Sequence, residues 1–246
     1  KKVGLIGTIA TYINGKKIAD SDRTTPESLE LQRMFADMVK EGVEYVVMEV
    51  SSQSLKLHRV DGCHFDYVAF TNFSEDHISE KEHPNMEDYL QSKLKLFKMC
   101  KTGFVNIDDL QGNKIPAMFP DSDITGYGID NFGNFLAKDI TITNSYVDFK
   151  AKIADRNERV KVDIPGRFTV YNALCAICVC RKIGIESQVP LVPHYIQSFV
   201  IDFIDQTFQC VRFYRIIRIY IINIISGSTL QGRITCRRYT SVSFML

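Results

Sequence analysis

A carboxylate and two hydroxyls follow an apolar run in the first quarter of the chain. The run from position 43 reads Val-Glu-Tyr-Val-Val-Met and leads into Glu49, Ser51 and Ser52. Such a run is typical of a buried parallel strand, whose carboxyl end meets a ligand crevice in open α/β sheets. Because Mg2+ prefers oxygen ligands, we predict that Glu49 is a ligand for a hard cation. A merely solvated acid at a strand end is the alternative.

An imidazole and a lysine follow at later element ends. His77 comes after Asp76 in a turn-rich segment, where a surface histidine is the alternative to a functional one. Lys93 falls on the apolar stripe of a predicted helix, so its ammonium must either snorkel to solvent or lose its charge. Addition of CO2 would convert this ammonium into a carbamate, which is an anionic oxygen ligand.

Length and composition limit the class of protein. The chain has 246 residues, of which 45% are hydrophobic, enough for one large domain or one and a half. Its net charge of +1 gives no general attraction to nucleic acid or to an anionic membrane, so we expect neither as a partner. Seven cysteines without framework spacing and no signal-peptide pattern favour a reducing cytoplasm. Cys175 and Cys178 have metal-like spacing, but their apolar helix favours packing in the core.

The composition changes abruptly near residue 187. All 17 lysines lie at or before Lys182 and all 11 glutamates at or before Glu186, whereas residues 187–246 hold 11 isoleucines and 6 arginines. Within this tail, the stretch 213–225 is too short and too charged to span a bilayer. We predict that residues 187–246 are an aberrant or frame-shifted tail, not a recognisable domain, and that they pack poorly.

Strands and helices alternate before that point. The pattern Thr24-Thr-Pro-Glu27 has the form of a capping box and predicts a helix start there, and Gly42 predicts the end of that helix. The predicted strands are 2–9, 43–50, 67–71, 104–107, 124–127, 135–143 and 146–153, and the later helices are 86–99 and 170–183. This rhythm predicts an α/β fold with a mostly parallel sheet and flanking helices, followed by a smaller β-rich subregion.

Eight motifs occur in one order over residues 1–186. They are Thr24-Thr-Pro26, Met48-Glu-Val-Ser-Ser52, His58-Arg-Val60, Thr71-Asn-Phe-Ser-Glu-Asp-His77, Glu82-His-Pro84, the Lys93 helix, Val105-Asn-Ile-Asp-Asp109 and Pro165-Gly-Arg-Phe-Thr-Val-Tyr-Asn172. In this order they resemble the Mur ligases, and within that family the UDP-N-acetylmuramoyl-tripeptide synthetases (MurE-type). The resemblance implies the central ATP-binding domain of a cytoplasmic, ATP-dependent acid–amino-acid ligase of peptidoglycan synthesis, working as a monomer.

The resemblance also implies roles for ten residues. Glu49, His77 and a carbamylated Lys93 would be the catalytic group and would hold Mg2+, so we expect these three side chains to converge. Four residues would bind the substrate UDP-N-acetylmuramoyl-L-alanyl-D-glutamate: Thr24, Thr25, Ser51 and Arg59. Three residues would face the adenine and ribose of ATP: Asn172, Asn106 and Asp109.

Further segments of the family are expected outside this sequence. Its phosphate loop, which ends in Gly-Lys-Thr, would lie just before Lys1, and the domain that selects the amino acid would follow where the tail now runs. We therefore expect a fragment without ligase activity of its own. The added diamino acid stays open between meso-diaminopimelate and L-lysine. A non-catalytic nucleotide-sugar-peptide binding module and a ligase like folylpolyglutamate synthetase are the alternatives.

Overall fold

The computed structural model describes residues 2–75, 78–79, 82–153, 156–184, 231–236 and 240–245, with backbone only for Arg156 and the last two segments. The strands are β1 Val3–Ile6, β2 Ala10–Ile13, β3 Lys16–Asp20, β4 Tyr45–Glu49, β5 Phe65–Phe70, β6 Cys100–Asn106, β7 Asp123–Gly128, β8 Phe135–Ile142, β9 Val147–Ile153, β10 Arg156–Val162, β11 Gln231–Cys236 and β12 Thr240–Met245. The α-helices are α1 Ser28–Lys40, α2 Ser52–Lys56, α3 Met86–Leu94, α4 Ile115–Met118 and α5 Arg167–Lys182, with short 3-10 helices over Lys95–Met99 and Gly112–Lys114.

These strands form two six-stranded sheets, in the orders β11-β12-β4-β1-β2-β3 and β10-β9-β8-β7-β6-β5. Parallel pairing joins β1 to β4 and runs from β5 through β6 and β7 to β8. Antiparallel pairing joins β1 to β2 and β2 to β3 in the first sheet, and β8 to β9 and β9 to β10 in the second. The predicted α/β fold with flanking helices is confirmed, and β8 to β10 form the smaller β-rich subregion.

The predicted strand over residues 2–9 is wrong in extent. β1 ends at Ile6, and the chain turns back into β2 at Ala10, which pairs antiparallel with it. A hairpin to β3 follows, and its turn residues Asn14 and Gly15 have φ angles of 49° and 81°. Two consecutive positive φ angles are what a two-residue hairpin turn requires, so Asn-Gly closes it with little strain.

The predicted capping box at the start of α1 is also wrong. The helix begins at Ser28 after the N-cap Glu27, which makes no side-chain capping bond. The hydroxyl of Thr25 instead bonds to the end of β4, and that of Thr24 lies 3.0 Å from the hydroxyl of Thr8. The predicted end of α1 is confirmed, because Gly42 follows the helix with a φ of 73°.

The two later helices differ from prediction mainly at their ends. α3 stops at Leu94, and the remaining predicted turn to Met99 is a 3-10 helix. α5 starts at residue 167, three residues earlier than predicted, and ends before Gly184 with its φ of 74°. Within α5, Cys175 and Cys178 are fully buried, and burial raises the pKa of the Cys175 thiol to about 12. The core interpretation of these cysteines is confirmed.

Two apolar clusters fill the core, and each takes side chains from both sheets. One combines Val3 and Val47 of the first sheet with Phe104 of the second and with α5. The other combines Ile6 and Met48 with Phe70 and with residues of α1 and α3. Successive residues of a strand point to opposite faces, so the strands contribute to both clusters in alternation. The two sheets are therefore packed as one body.

Part of the predicted tail is described. β11 and β12 form a hairpin beside the edge of β4 that β1 leaves open, with Val242 opposite Val47. Residues 185–230, 237–239 and 246 lie outside the described residues. An unpacked tail would not pair in this way, but no side chain of the two strands is described, so the division into a domain 1–186 and an aberrant tail stays a prediction. None of the helices in the described segments has the length and apolar character to cross a membrane.

Candidate functional site

Glu49 ends β4, and its carboxylate is buried against the connection between β1 and β2. Thr8 donates its backbone N–H (3.0 Å) and its hydroxyl (2.5 Å) to Oε2 of Glu49. The other oxygen, Oε1, is buried and has no hydrogen-bond partner within the described residues. Burial raises the pKa of Glu49 to about 7, although the two bonds from Thr8 oppose this. The carboxylate thus has one oxygen held in place and one available for a proton or a cation.

Gly7 makes room for this carboxylate. A Cβ atom added at Gly7 would lie 2.7 Å from Oε1 of Glu49, which is closer than real Cβ contacts come. The backbone of the β1–β2 connection therefore passes so close to the carboxylate that a side chain at Gly7 would displace it. The pocket for Glu49 is formed by the adjacent pair Gly7 and Thr8.

Three predicted substrate-binding residues lie next to Glu49. The hydroxyl of Thr25, fully buried, donates to the carbonyl oxygen of Glu49 (3.1 Å) and accepts the N–H of Ser51 (2.9 Å). Ser51 is the N-cap of α2, where its hydroxyl accepts the N–H of Ser54 (3.1 Å). Thr24 reaches the same place through Thr8. As placed, Thr25 joins the strand end to the helix start, while Thr24 and Ser51 are half-buried.

The fourth predicted substrate residue, Arg59, lies beside the start of α1. Its side chain is 11% exposed, and its Nε atom lies 3.0 Å from Oε1 of Glu27. This nitrogen makes no hydrogen bond within the described residues, since its N–H is not aimed at the carboxylate. The contact is therefore an electrostatic one. Arg59 thus lies beside Glu27, which is two residues after Thr25 in the chain. Its guanidinium can bind anionic oxygens in a forked geometry.

Lys93 is fully buried in α3, so the snorkelling alternative is wrong. Its ammonium lies 4.9 Å from the ring centre of Tyr89, which stacks on Phe73. His77 lies outside the described residues, and its convergence with Glu49 and Lys93 stays a prediction. Across the described segments, no three His, Cys, Asp or Glu side chains are grouped to hold a metal ion. The predicted group of Glu49, His77 and Lys93 is not of this type, because it contains a lysine and because His77 is outside the described residues.

A buried histidine not selected as a site residue links α3 to the end of β4. The ring of His83 is fully buried, with Nε2 2.8 Å from the hydroxyl of Ser52 and Nδ1 2.7 Å from Oδ2 of Asp88. Its ring centre lies 5.1 Å from that of Tyr89, the neighbour of Lys93. Contacts therefore run from Lys93 through Tyr89 and His83 to Ser52. Ser52 lies three residues beyond Glu49, so the Lys93 helix and the Glu49 strand meet at one end of the sheet.

Two of the predicted nucleotide residues build a turn after β6. The carboxamide of Asn106 donates to the carbonyl of Thr71 (2.9 Å) and accepts the N–H of Asp108 (3.0 Å). The carboxylate of Asp109 accepts the N–H groups of Phe73 (2.8 Å), Gln111 (2.9 Å) and Gly112 (2.8 Å). Both side chains bind backbone in this way and hold the ends of β5 and β6 together. The third residue, Asn172, is buried in the first half of α5.

Asp108, between them, was also not selected from the sequence. Its carboxylate accepts the backbone N–H groups of residues 129, 130 and 131, at 2.5 to 2.9 Å, and the hydroxyl of Tyr171 at 2.9 Å. Burial alone would raise the pKa of Asp108, but these four hydrogen bonds outweigh it and lower the pKa. The carboxylate thereby fastens the loop after β7 to α5. Only the adjacent acids at 108 and 109 after a strand would have signalled it.

Comparison with known proteins bears on this geometry. The family model of the Mur ligase middle domain matches residues 1–180. The chain belongs to this family. It is 50% identical over 188 residues to the UDP-N-acetylmuramoyl-L-alanyl-D-glutamate--2,6-diaminopimelate ligase of Caldanaerobacter subterraneus subsp. tengcongensis, a match that covers 75% of this chain and 38% of that protein. It is 45% identical over 185 residues to ligase 1 of the same name from Clostridium acetobutylicum, with the same coverage.

The Mur ligase fold is also seen in a solved structure. A structure titled UDP-N-acetylmuramoyl-L-alanyl-D-glutamate--2,6-diaminopimelate ligase matches with a TM-score of 0.69 and 22% identity, and the match covers 82% of this chain and 40% of that one. At this identity the likeness shows the fold. The chain spans about two fifths of the length of the curated Mur ligases it matches. The resemblance found in the motifs is confirmed at the level of the family.

Proposed function

We propose that this chain is the middle domain of a cytoplasmic, monomeric ligase that joins 2,6-diaminopimelate to UDP-N-acetylmuramoyl-L-alanyl-D-glutamate with ATP, in peptidoglycan synthesis. Membership of the Mur ligase family and the names of relatives 50% and 45% identical to it support the reaction. Those names also favour diaminopimelate over L-lysine. The structural observation that carries the proposal is the end of β4, where Glu49 is buried with one oxygen unpaired among the described residues.

In the proposed reaction, the γ-phosphoryl group of ATP passes to the D-glutamyl carboxylate of the nucleotide-linked substrate. The amine of diaminopimelate then attacks the carbonyl carbon of this acyl phosphate. The bond from that carbon to the phosphate oxygen breaks, phosphate leaves, and the amide forms. Such phosphoryl transfer depends almost entirely on positioning and on stabilisation of charge.

The residues at the end of β4 fit a hard cation. Oε1 of Glu49 is buried without a hydrogen-bond partner among the described residues, so it is suited to coordinate a cation. A nearby cation would lower the pKa of Glu49, which burial raises. Glu49, His77 and a carbamylated Lys93 would hold Mg2+. A bound Mg2+ would supply positive charge that offsets the negative charge on the phosphate oxygens.

The other residues divide between the two substrates. Thr24, Ser51 and Arg59 lie around the same strand end as Glu49 and would hold the nucleotide-linked peptide, with Arg59 toward an anionic oxygen. Thr25 would hold the backbone of Glu49 and Ser51 in place through its hydroxyl. Asn172 would contact the adenine and ribose of ATP, whereas Asn106 and Asp109 would act by shaping the turn after β6.

A chimera tests this function. Residues 1–184 would replace the matching segment of the Caldanaerobacter relative, and ADP release would be measured with UDP-N-acetylmuramoyl-L-alanyl-D-glutamate and 2,6-diaminopimelate, the amino acid in that relative's name. We expect turnover with diaminopimelate and its loss in the Lys93→Ala chimera. A folded chimera that binds the nucleotide-linked substrate but releases no ADP would support a non-catalytic binding module instead. Turnover that survives Lys93→Ala would contradict the proposed metal group.

A further inference from the structure

We propose that His83 is a positioning residue, which fastens the loop between β5 and α3 to the start of α2 and so holds α3, which carries Lys93, at the end of β4. The inference rests on the proposed function of that site. It concerns a side chain to which the resemblance gives no role. The loop in question covers residues 71–85, and both of its ends are described.

The two ring nitrogens of His83 have different partners. Nδ1 faces the carboxylate of Asp88 at 2.7 Å, so the network assigns a ring proton to Nδ1. Nε2 pairs with the hydroxyl of Ser52 at 2.8 Å. With both nitrogens engaged and no exposed surface, the ring has one orientation. It can therefore fix the distance between the first turn of α2 and the first turn of α3.

A lysine strengthens the same junction. The ammonium of Lys56, at the end of α2, donates to Oδ2 of Asp88 (2.7 Å) and to the carbonyl of Glu82 (3.0 Å). Hydrogen bonds from Lys56 and His83 lower the pKa of Asp88, so this acceptor stays ionised. α2 thus binds the loop at Glu82 by its last turn, and through His83 by its first.

The described parts of the loop between β5 and α3 have an attachment on each side of positions 76 and 77. On one side, the N–H of Phe73 bonds to Asp109 at 2.8 Å. On the other side, Ile78 pairs with His83, and the N–H of Ser79 donates to the carbonyl of His83 at 2.9 Å. His77 is the residue before Ile78. A shift of the His83 ring would therefore move the loop backbone at Ile78 and Ser79 while leaving Glu49 and its Thr8 contacts in place.

Ser52, His83 and Asp88 are linked as in the catalytic triad of hydrolases, with the hydroxyl next to Nε2 and the carboxylate next to Nδ1. A hydrolase would be a different function for this group. Ser52 is 5% exposed and His83 is fully buried, so a substrate has little access to the hydroxyl. The linkage of α2, the loop and α3 accounts for all three side chains. We therefore assign the group to positioning.

Mg2+ affinity of the chain itself gives a readout that does not need turnover. We would titrate Mg2+ into the native chain and into His83→Gln, which keeps a polar atom toward Ser52 but cannot reach Asp88. Loss of partners behind a ligand typically costs 10 to 100-fold in metal affinity, and we expect a loss of this size. Leu96→Ala is the structural control, because Leu96 is fully buried beyond α3 and its truncation should lower stability with little change in Mg2+ affinity.

The outcomes separate the two proposals. If the native chain binds no Mg2+, the metal group of the proposed function fails, and the positioning role of His83 fails with it. If the native chain binds Mg2+ and His83→Gln binds it equally well, the positioning role of His83 is overturned. Should His83→Gln not fold, Ser52→Ala removes only the hydroxyl and should weaken Mg2+ binding in the same direction. Hydrolysis of 4-nitrophenyl acetate that disappears in Ser52→Ala would overturn the positioning role in favour of a triad.

Discussion

Thr8 gives both its backbone N–H and its hydroxyl to one oxygen of Glu49, at 3.0 and 2.5 Å. The other oxygen has no hydrogen-bond partner in the part of the chain that is described. This asymmetry orients the carboxylate without satisfying it. A group built only for stability would have both oxygens paired, because an unpaired buried polar atom costs about 1 to 3 kcal/mol. The relationship favours a ligand role for Glu49.

The stability of the chain should depend on the protonation of Glu49. Because its pKa is raised from 4.5 to about 7, the folded chain binds this proton more tightly than the unfolded chain does. That contribution is fully present below about pH 4.5, is lost as the pH rises through about 7, and amounts to about 3 kcal/mol. Between pH 4.5 and 8, the free energy of unfolding of Glu49→Gln should therefore fall by about 3 kcal/mol less than that of the native chain, as measured by urea unfolding. The exposed control Glu30→Gln should keep the native pH dependence.

Gly7→Ala should disturb the same carboxylate. The added Cβ would come within 2.7 Å of Oε1 of Glu49, so we expect a loss of about 1 to 3 kcal/mol of unfolding free energy. Glu49→Asp withdraws the carboxylate by one methylene, and the double variant should recover part of the loss. A double-mutant cycle by urea unfolding measures this coupling. Strictly additive effects would show that the crowding at Gly7 is relieved elsewhere.

Thr25 should matter through its hydroxyl. Thr25→Val keeps the shape of the side chain but leaves the carbonyl of Glu49 and the N–H of Ser51 without this partner, so we expect a loss of about 2 to 4 kcal/mol. Thr25→Ser keeps the hydroxyl and should lose less than half as much. Thermal and urea unfolding of the two variants would check this order. An equal loss in both would assign the effect to the missing methyl group.

Asp108 should stabilise the chain at neutral pH and not in acid. Its pKa is lowered, so the stabilisation is present above the ordinary pKa of an aspartate and is lost as the pH falls through the lower folded value. Asp108→Asn should destabilise the chain at pH 7, and the difference from the native chain should shrink in acid, as the pH falls below the ordinary pKa of an aspartate. Tyr171→Phe, which removes one of the four donors, should give a smaller effect of the same sign. A deficit of equal size at pH 7 and in acid would contradict this.

Local signals in the sequence predicted part of the fold well. The end of α1 could be predicted from Gly42 alone, because the helix stop requires a positive φ at this one residue and glycine adopts it readily. Asn14 and Gly15 carry an equally local hairpin signal, which would have predicted the hairpin of β2 and β3 after the first predicted strand. β10 was missed although Val160 and Val162 alternate with charged residues and are fully buried, a period-two pattern. These errors concern patterns that were present in the sequence.

Other errors arose from partners far apart in the chain. Thr24 and Thr25 look like a helix cap, but their hydroxyls are used by Thr8 and Glu49, 16 and 24 residues away. The importance of His83 depends on Ser52, 31 residues away, and that of Asp108 on Tyr171, 63 residues away. A single residue in a sequence does not show such burial or such partners. Glu49 and Lys93 could be selected because each stands out against an apolar stretch of its own element.

The apolar cluster that holds Val3 and Leu5 also contains Leu174 and Val179 of α5. During synthesis, β1 therefore leaves the ribosome long before the helix that covers it exists. At ordinary elongation rates, the intervening stretch takes roughly 10 to 30 s to make. Over that time the first strands carry an uncovered apolar face. We therefore expect the first third of the chain not to fold alone, because β1 then lacks the cover of α5.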